Sequence, residues 1–236
     1  IVEIFPRENL LFRPPVANID QVLVVQTINE PNINPLAFDK LLVVVEKREL
    51  PILLAFNKID RVSNEDLDEW RRRYEKAFYP VFSVNALTGE GMGDLETALA
   101  KKITAIAGPS GAGKSTLIRR LSGDDSVNVG ALSAKTSRGR QTTRKIQLYE
   151  INEDSYIFDT PGFSSLDLRD FEAGIEIGDC FPEIRKFQDE CKFRNCTHRS
   201  EPACAIREKV DQCDIDPLRY QNYLSLFEEI EANRPY

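Results

Sequence analysis

A glycine-rich loop between a predicted strand and a predicted helix constrains the fold of this chain most strongly. The apolar run Ile103–Ala107 leads into the sequence GPSGAGKS, and a stretch of helical character, Ser115–Leu121, follows it. Strand, loop and helix in this order are the context that the phosphate-binding pattern GxxxxGK[ST] requires. Glycines let successive backbone N–H groups curl around a phosphate, and the helix N-terminus adds a positive potential. The residues predicted to contact a bound nucleotide are Gly108, Pro109, Ser110, Gly111, Ala112, Gly113, Lys114, Ser115 and Thr116.

A second motif, Asn57-Lys58-Ile59-Asp60, indicates which base is bound. It follows the strand-like run Pro51–Phe56. A carboxylate at Asp60 can accept hydrogen bonds from N1–H and the exocyclic amine of guanine, whereas adenine would leave it desolvated and unpaired. Asn57 is expected to steady the loop and contact the purine edge, and the Lys58 stem to cover a ring face. A polar turn at a strand end is the alternative, and the nearby phosphate loop disfavours it.

Two further loops complete a set of motifs for GTP. The segment SVNALTGEG, which begins at Ser83, resembles the serine-containing loop that braces guanine in GTPases. The segment DTPG follows another strand-like run, and its Asp159 is predicted to hold Mg²⁺ through water while the Gly162 N–H senses the γ-phosphate. In the phosphate loop, Lys114 is predicted to reach the β- and γ-phosphates, and the Ser115 hydroxyl to ligate Mg²⁺.

The order of these motifs is cyclically shifted. Ordinary GTPases carry the phosphate loop first, then a switch threonine, DxxG, NKxD and the serine loop. Here NKxD (57–60) and the serine loop (83–91) precede the phosphate loop, while a threonine-bearing segment (136–143) and DTPG (159–162) follow it. Such a permutation is plausible because domain termini often lie close together. The predicted fold class is α/β, a circularly permuted P-loop GTPase domain followed by a small helical zinc-binding domain.

Alternating apolar runs and helical segments predict a mainly parallel sheet covered on both faces. Leu36–Glu46 is ambiguous because it contains a strand-like valine triplet, but Asn34-Pro35 favours a helix with a cap and an early proline. A helix after Ser63 is expected to carry Leu67, Trp70, Tyr74 and Phe78 on one face. The predicted strands are 22–26, 52–56, 80–84, 103–107 and 156–159, with an alternating edge strand at 146–151.

A metal-ligand pattern occupies the last quarter of the chain. Cys191, Cys196, His198 and Cys204 offer three thiolates and one imidazole, which suits a closed tetrahedral structural zinc site. Their segment is otherwise charged and polar, so the metal is expected to supply much of its folding energy. Buried thiols without metal and a redox role remain open alternatives. Two other cysteines, Cys180 and Cys213, are interpreted as small apolar residues.

Taken together, these segments resemble the ribosome small-subunit-dependent GTPase A (RsgA) family. The resemblance is carried by PRENLLFRPPVANIDQ, NKID, TGEG, GPSGAGKST, RGRQTTR, DTPGF and CKFRNCTHRSEPAC. It implies a GTP hydrolase that the small (30S) ribosomal subunit stimulates and that acts in late 30S maturation. The implied partners are the 30S subunit and its 16S rRNA, and the implied cofactors are one structural Zn²⁺ and Mg²⁺ with GTP. The implied domains are a remnant of an N-terminal OB-type barrel (1–15), the GTPase domain (16–165) and the zinc-binding domain (166–236).

The resemblance also suggests which residues assist hydrolysis, namely Lys114, Gln141, Thr143 and Gly162. Gln141 stands where the family usually has histidine, and glutamine can also orient a water molecule. Thr142 and Thr143 are both candidates for the Mg²⁺-binding switch threonine, and Thr143 is preferred. Phe163 follows DTPG where Ras-like enzymes place a water-orienting glutamine, so slow intrinsic hydrolysis is expected. Basic residues surround this switch and are interpreted either as an RNA contact or as a solvated loop.

Composition narrows the remaining possibilities. The formal net charge is −7, which disfavours indiscriminate nucleic-acid binding and leaves RNA contacts to local basic patches. No apolar run approaches the roughly 20 residues that span a bilayer, and the charged start IVEIFPRENLLFRPP does not resemble a signal peptide. Cysteines clustered beside the only histidine favour a reducing compartment. A cytoplasmic monomer without membrane contacts is therefore expected.

Two other functions compete with a GTP hydrolase. An ATP-using phosphotransferase would share the phosphate loop but lack guanine selectivity, which Asp60→Asn would remove in a GTPase. A non-enzymatic ribosome-binding scaffold would carry a decayed nucleotide site, but Lys114, Ser115, Asp159 and Gly162 are all retained.

Overall fold

The structure is a computed structural model that describes residues 10–12, 15–125, 127, 147–159, 168, 171 and 174–233. These residues belong to two compact units. One draws on the ranges 1–32, 50–63 and 82–165, and the other on 33–49, 64–81 and 166–236. The predicted domain boundaries after residues 15 and 165 stay predictions.

A six-stranded sheet organises the first unit, with the strand order β5-β4-β3-β6-β8-β7. The two remaining strands, β1 (Leu10–Phe12) and β2 (Pro15–Ala17), form a separate antiparallel pair. The strands of the large sheet are β3 (Gln21–Gln26), β4 (Ile52–Asn57), β5 (Val81–Val84), β6 (Ile103–Ala107), β7 (Leu148–Asn152) and β8 (Ser155–Asp159).

The pairing of the strands confirms the predicted, mainly parallel sheet. β3 pairs in parallel with β4 and β6, and β6 pairs in parallel with β8, while β7 runs antiparallel along the outer edge. Every residue of β3 and β4 is buried, as expected for central strands covered on both faces. Because parallel strands end at the same edge of a sheet, the loops after β4 and β6 begin at one edge, where β8 also ends.

Two helices, α3 (Met92–Leu99) and α4 (Lys114–Ser122), pack against one face of this sheet. Leu95 and Leu99 of α3 and Leu117 and Ile118 of α4 are almost fully buried there. α4 begins directly after Gly113, which has a left-handed backbone, and ends at a second left-handed glycine, Gly123. Apolar side chains from the strands meet them, including Leu23, Val25, Leu53, Ala55, Val84, Ile106 and Ile157.

The second unit is helical and includes two helices from the first half of the chain. These are α1 (Pro35–Glu46) and α2 (Asn64–Lys76), and they join α5 (Pro182–Phe187), α6 (Ala205–Asp211), α7 (Pro217–Ala232) and a 3-10 helix over Gly174–Cys180. The predicted helix at 36–46 is confirmed, and the Asn34 side chain caps it by accepting from the Ala37 N–H. Asp216 caps α7 in the same way.

One detail of the helix prediction is wrong. α2 ends at Lys76, and Phe78 lies beyond it with a positive φ of 66° and a relative exposure of 48%. The chain turns over at this point, with the Tyr79 N–H donating to the Tyr74 carbonyl. Tyr79, rather than Phe78, takes the buried position. A helix C-terminus with a left-handed residue changes which side chains face inward, and helical periodicity does not reveal it.

A fully buried group of charges joins four helices of the second unit. The Arg219 guanidinium of α7 donates to Asp39 Oδ1 of α1 at 2.6 Å and to both carboxylate oxygens of Glu183 of α5 at 2.8 and 3.0 Å. These three side chains are at most 2% exposed. Asp39 also accepts hydrogen bonds from Tyr74 of α2 and Asn222 of α7. Each charge is thus paired and hydrogen-bonded, which is what makes its burial tolerable.

Candidate functional site

The phosphate loop follows β6 as predicted, and close contacts explain two of its glycines. Gly108 has φ +138°, and a Cβ there would lie 2.0 Å from the Val25 carbonyl oxygen of the neighbouring strand β3. Gly113 has φ +90°, and a Cβ there would lie 2.3 Å from Asn57 Nδ2. Both positions therefore exclude a side chain for steric as well as conformational reasons.

The lysine of this loop lies over its own backbone. Lys114 Nζ donates to the carbonyl oxygens of Gly108 and Pro109 at 2.9 and 2.8 Å. The ammonium is therefore held beside the loop whose N–H groups would face a phosphate. Ser115 and Thr116 occupy the first turn of α4, next to the positive end of the helix dipole. Gly111 and Ser110 complete the turn between β6 and α4.

Asn57, the first residue of the NKxD motif, joins the phosphate loop to the loop after β5 (residues 85–91), which is called the base-reading loop below. It ends β4, is 5% exposed, and donates from Nδ2 to the Ala112 carbonyl at 2.9 Å. Its Oδ1 accepts from the Ala86 N–H, in the loop after β5, at 3.0 Å. One amide therefore contacts both loops, and the contact of Asn57 with the purine edge stays a prediction.

Asp60 lies in a short 3-10 turn, Ile59–Arg61, and its side chain is 52% exposed. Its Oδ1 accepts from Asn85 Nδ2 at 2.8 Å, so the carboxylate is oriented and still accessible to a ligand. The preceding residue, Lys58, has a left-handed backbone and donates from Nζ to the Glu30 carbonyl at 2.9 Å. The segment after β3 thus positions the lysine whose stem is predicted to cover the base.

The side chain that donates to Asp60 is that of Asn85, in the loop after β5. Ser83 lies within β5, and its buried hydroxyl has no hydrogen-bond partner among the described residues. Asn85 contacts Asp60 and also accepts from the N–H groups of Leu87 and Thr88. A guanine contact from Ser83 stays a prediction, whereas Asn85 was missed. The available signal was an amide just after the predicted strand, immediately before the Ala86 that meets Asn57.

A cleft of about 350 Å³ opens beside these loops. It is lined by Ala86, Leu87, Thr116, Arg119, Arg120 and Asp125. Leu87 is 72% exposed, so its side chain is available to a ligand. The cleft thus connects the start of α4 with the base-reading loop.

The predicted switch residues are described only in part. β8 ends at Asp159, and its backbone pairs with Ile106, close to the start of the phosphate loop. This register brings Asp159 to the sheet edge at which the phosphate loop lies. Gln141, Thr142, Thr143 and Gly162 lie outside the described residues, so their predicted roles stay predictions.

The four predicted metal ligands converge in the second unit. The ligand atoms of Cys191, Cys196, His198 and Cys204 all lie within 4.8 Å of one another. His198 Nδ1 is 3.5 Å from the sulfur atoms of Cys191 and Cys204. A tetrahedral ion with metal–sulfur and metal–nitrogen bonds of usual length would separate these atoms by about 3.6 Å. The cluster therefore has the size and donor set of a metal site.

The cluster is supported from both sides. The Glu201 carboxylate accepts from the N–H groups of Thr197, Arg199 and Ser200. Burial alone would raise the pKa of Glu201, but the hydrogen bonds, chiefly from Thr197, lower it to about 2. From α7, Tyr220 and Tyr223 donate to the carbonyls of His198 and Thr197 at 2.6 and 2.8 Å. The loop that presents the imidazole is therefore fixed by neighbouring side chains.

The electrostatics of the cluster also suit a cation. Burial raises the pKa of Cys196 to about 12 and also raises the pKa of Cys204, while it lowers the pKa of His198. Buried thiolates are costly unless a positive charge is placed among them. Cys180 is buried and Cys213 exposed, and neither belongs to the cluster.

The phosphate loop and the NKxD motif lie at one edge of a mixed sheet, and the NKxD motif comes earlier in the chain. This arrangement defines a circularly permuted P-loop GTPase. The sequence profile of the RsgA GTPase family matches residues 4–169. The chain belongs to this family.

Individual relatives agree with this assignment. The small ribosomal subunit biogenesis GTPase RsgA of Caldanaerobacter subterraneus subsp. tengcongensis is 41% identical over 231 residues, covering 98% of this chain and 78% of the relative. The protein of the same name from Alkaliphilus metalliredigens is 38% identical, with coverages of 100% and 80%. Among solved structures, YloQ, a circularly permuted GTPase, superposes with a TM-score of 0.80 at 28% identity, over 99% of this chain and 76% of that chain. YjeQ from Thermotoga maritima gives 0.79 at 34% identity, over 98% and 78%.

Within the part of the chain that the structure describes, no helix combines the length and the apolar character needed to cross a bilayer.

Proposed function

We propose that this protein hydrolyses GTP in the biogenesis of the small ribosomal subunit. The observation that carries the proposal is Asn57, which joins the phosphate loop at Ala112 to the base-reading loop at Ala86. A nucleotide whose phosphates lie on the first loop would thereby present its base to the second. The names of the relatives supply the cellular role. Stimulation by the 30S subunit, action late in its maturation, and contacts with 16S rRNA are parts of the same proposal.

The chemistry follows from the groups at the sheet edge. The loop N–H groups and the Lys114 ammonium would bind the β- and γ-phosphates and neutralise the charge that develops during hydrolysis. Mg²⁺ would be held by Ser115, Asp159 and Thr143, and it would supply positive charge to the phosphates when bound. Gln141 and the Gly162 N–H would orient water and sense the γ-phosphate. Asp60, oriented by Asn85, would select guanine.

Replacing Lys114 tests the hydrolytic site. Lys114→Ala is expected to lower the GTP turnover rate by on the order of 10²–10³-fold, because it removes the principal cation beside the transferred phosphoryl group. The measurement is phosphate release from GTP in the presence of purified 30S subunits. Lys76→Ala is the matched control, since its ammonium lies at the end of α2 and donates to the Cys213 carbonyl. Equal rates for wild type and Lys114→Ala would contradict the assigned site.

The Cys3His cluster is proposed to hold one structural Zn²⁺, with no open coordination position. Purified protein is then expected to contain about one zinc per chain, and Cys196→Ser to lose it together with much of the folding of the second unit. Cys213→Ser is the control, because this exposed thiol is not part of the cluster. Elemental analysis and the fluorescence of Trp70 in α2, the only tryptophan, are the measurements. Full zinc content in Cys196→Ser would contradict the assignment.

The proposed setting of this activity is a cytoplasmic monomer with Mg²⁺ and GTP as ligands. The division into a barrel remnant (1–15), a GTPase domain (16–165) and a zinc-binding domain (166–236) is likewise proposed. Limited proteolysis of the zinc-loaded protein would test the last boundary by the sites at which the chain is first cut.

A further inference from the structure

Arg120 lies in the last turn of α4 and contacts the loop that follows β5. Its Nη2 donates to the Thr88 carbonyl at 2.6 Å, and its Nη1 to the Leu87 carbonyl at 3.5 Å. The guanidinium lies close to Gly89, because a Cβ built there would be 1.8 Å from Nη2 and would displace it. Gly89 also has φ +94°, which favours glycine independently. The helix that begins at the phosphate loop is thereby fastened, at its other end, to the base-reading loop.

Asn85 contacts the same two residues through their backbone N–H groups. Its Oδ1 accepts from the N–H groups of Leu87 and Thr88 at 3.0 and 3.2 Å. Its Nδ2 donates to Asp60 Oδ1 at 2.8 Å. A continuous series of hydrogen bonds therefore runs from Arg120, through the backbone of Leu87 and Thr88, to Asn85 and then to Asp60.

We propose that Arg120 is a positioning residue for guanine recognition, acting through Asn85 on the Asp60 carboxylate. This inference rests on the proposed function, in which Asp60 accepts hydrogen bonds from guanine. A carboxylate selects guanine only if its oxygens are held at the positions from which they can accept from the N1–H and the exocyclic amine of the base. Without the guanidinium, the loop loses its fastening to α4, so the orientation of Asn85, and with it that of Asp60, is less restricted.

A purely structural arginine would behave differently. It would weaken the binding of all nucleotides alike, because the loop as a whole would be loosened. A positioning residue instead affects most the ligand that uses both hydrogen bonds to Asp60. Guanine and hypoxanthine separate the two cases, because hypoxanthine retains N1–H and lacks the exocyclic amine.

The experiment compares the dissociation constants of GDP and of inosine diphosphate for the full chain and its variants. Arg120→Ala is expected to weaken GDP binding roughly tenfold and inosine diphosphate binding roughly threefold or less. The preference for guanine, expressed as the ratio of the inosine diphosphate and GDP dissociation constants, is thereby reduced. Turnover at saturating GTP should change by less than about twofold, since the hydrogen bonds of the Arg120 guanidinium go to Leu87 and Thr88 in the loop after β5. Arg120→Lys should restore part of the preference, because an ammonium keeps the charge and donates hydrogen bonds but lacks the planar fork of the guanidinium.

A double replacement isolates the pathway. Asn85→Ala should narrow the preference by itself, and adding Arg120→Ala should cause little further loss, because both act on the same carboxylate. Arg72→Ala, on the exposed side of α2, is the matched control and should bind both nucleotides as wild type does. Equal weakening of both nucleotides by Arg120→Ala, or fully additive losses in the double variant, would overturn the inference. A wild-type protein that shows no preference for guanine over adenine would instead contradict the proposed function itself.

Discussion

Asp60→Asn is expected to weaken GDP binding by roughly 10²–10⁴-fold, because two hydrogen bonds to a charged acceptor are each worth about 1.5–3 kcal/mol. The same change should create affinity for xanthosine diphosphate, whose base is xanthine. An asparagine amide can donate to the carbonyl that xanthine carries at C2, where guanine carries an amine. Asn85 would still contact the new side chain, because an asparagine oxygen accepts as the aspartate oxygen does.

The measurement is a competition titration of the variant with GDP, ADP and xanthosine diphosphate. Asp68→Asn provides the control, since it makes the same chemical change on an exposed residue of α2. A variant that still binds GDP within about threefold of wild type and gains nothing for xanthine would show that Asp60 does not read the base. This outcome would return the ATP-using phosphotransferase to consideration.

Arg219→Ala is expected to destabilise the helical unit by about 3–5 kcal/mol. It would leave Asp39 and Glu183 buried without a counter-charge, and a buried charge stripped of its partner is more costly than the absence of the whole group. Although burial lowers the pKa of Arg219, Asp39 and Glu183 together hold it well above the usual value, so the guanidinium stays charged. Stacking on Phe181, at 4.6 Å from the ring centre, would be lost as well.

Urea denaturation followed by the fluorescence of Trp70 measures this effect. Trp70 belongs to the same compact unit and stacks on Tyr74, whose hydroxyl contacts Asp39. Arg219→Lys should cause an intermediate loss, because it keeps the charge but cannot contact Asp39 and both oxygens of Glu183 at once. Arg72→Ala should change the stability by less than about 0.5 kcal/mol. A loss below about 1 kcal/mol in Arg219→Ala would contradict the role of the buried group.

Local sequence patterns predicted the parts of the molecule that local physics controls. The strands leading into the phosphate loop and the NKxD loop are apolar runs of strand length, and both are confirmed. The phosphate-loop glycines and the Cys191–Cys204 ligand set are fixed by steric and coordination requirements that a spacing can express. The circular permutation was visible because it is a property of motif order.

Features that depend on distant residues were not predictable in this way. Arg219 and Asp39 are 180 positions apart, and neither local sequence predicts their contact. Asn85 was overlooked because the neighbouring Ser83 offered a more familiar side chain, and only the strand geometry shows which of them reaches Asp60. Phe78 was misplaced because the helix ends two residues earlier in a left-handed turn.

GTP turnover by the full chain, measured with and without purified 30S subunits, tests the central proposal most directly. The account predicts slow hydrolysis by the protein alone and a saturable increase of at least roughly tenfold with 30S subunits, with ATP not replacing GTP. A fast rate that 30S subunits leave unchanged, or equal hydrolysis of ATP, would contradict it.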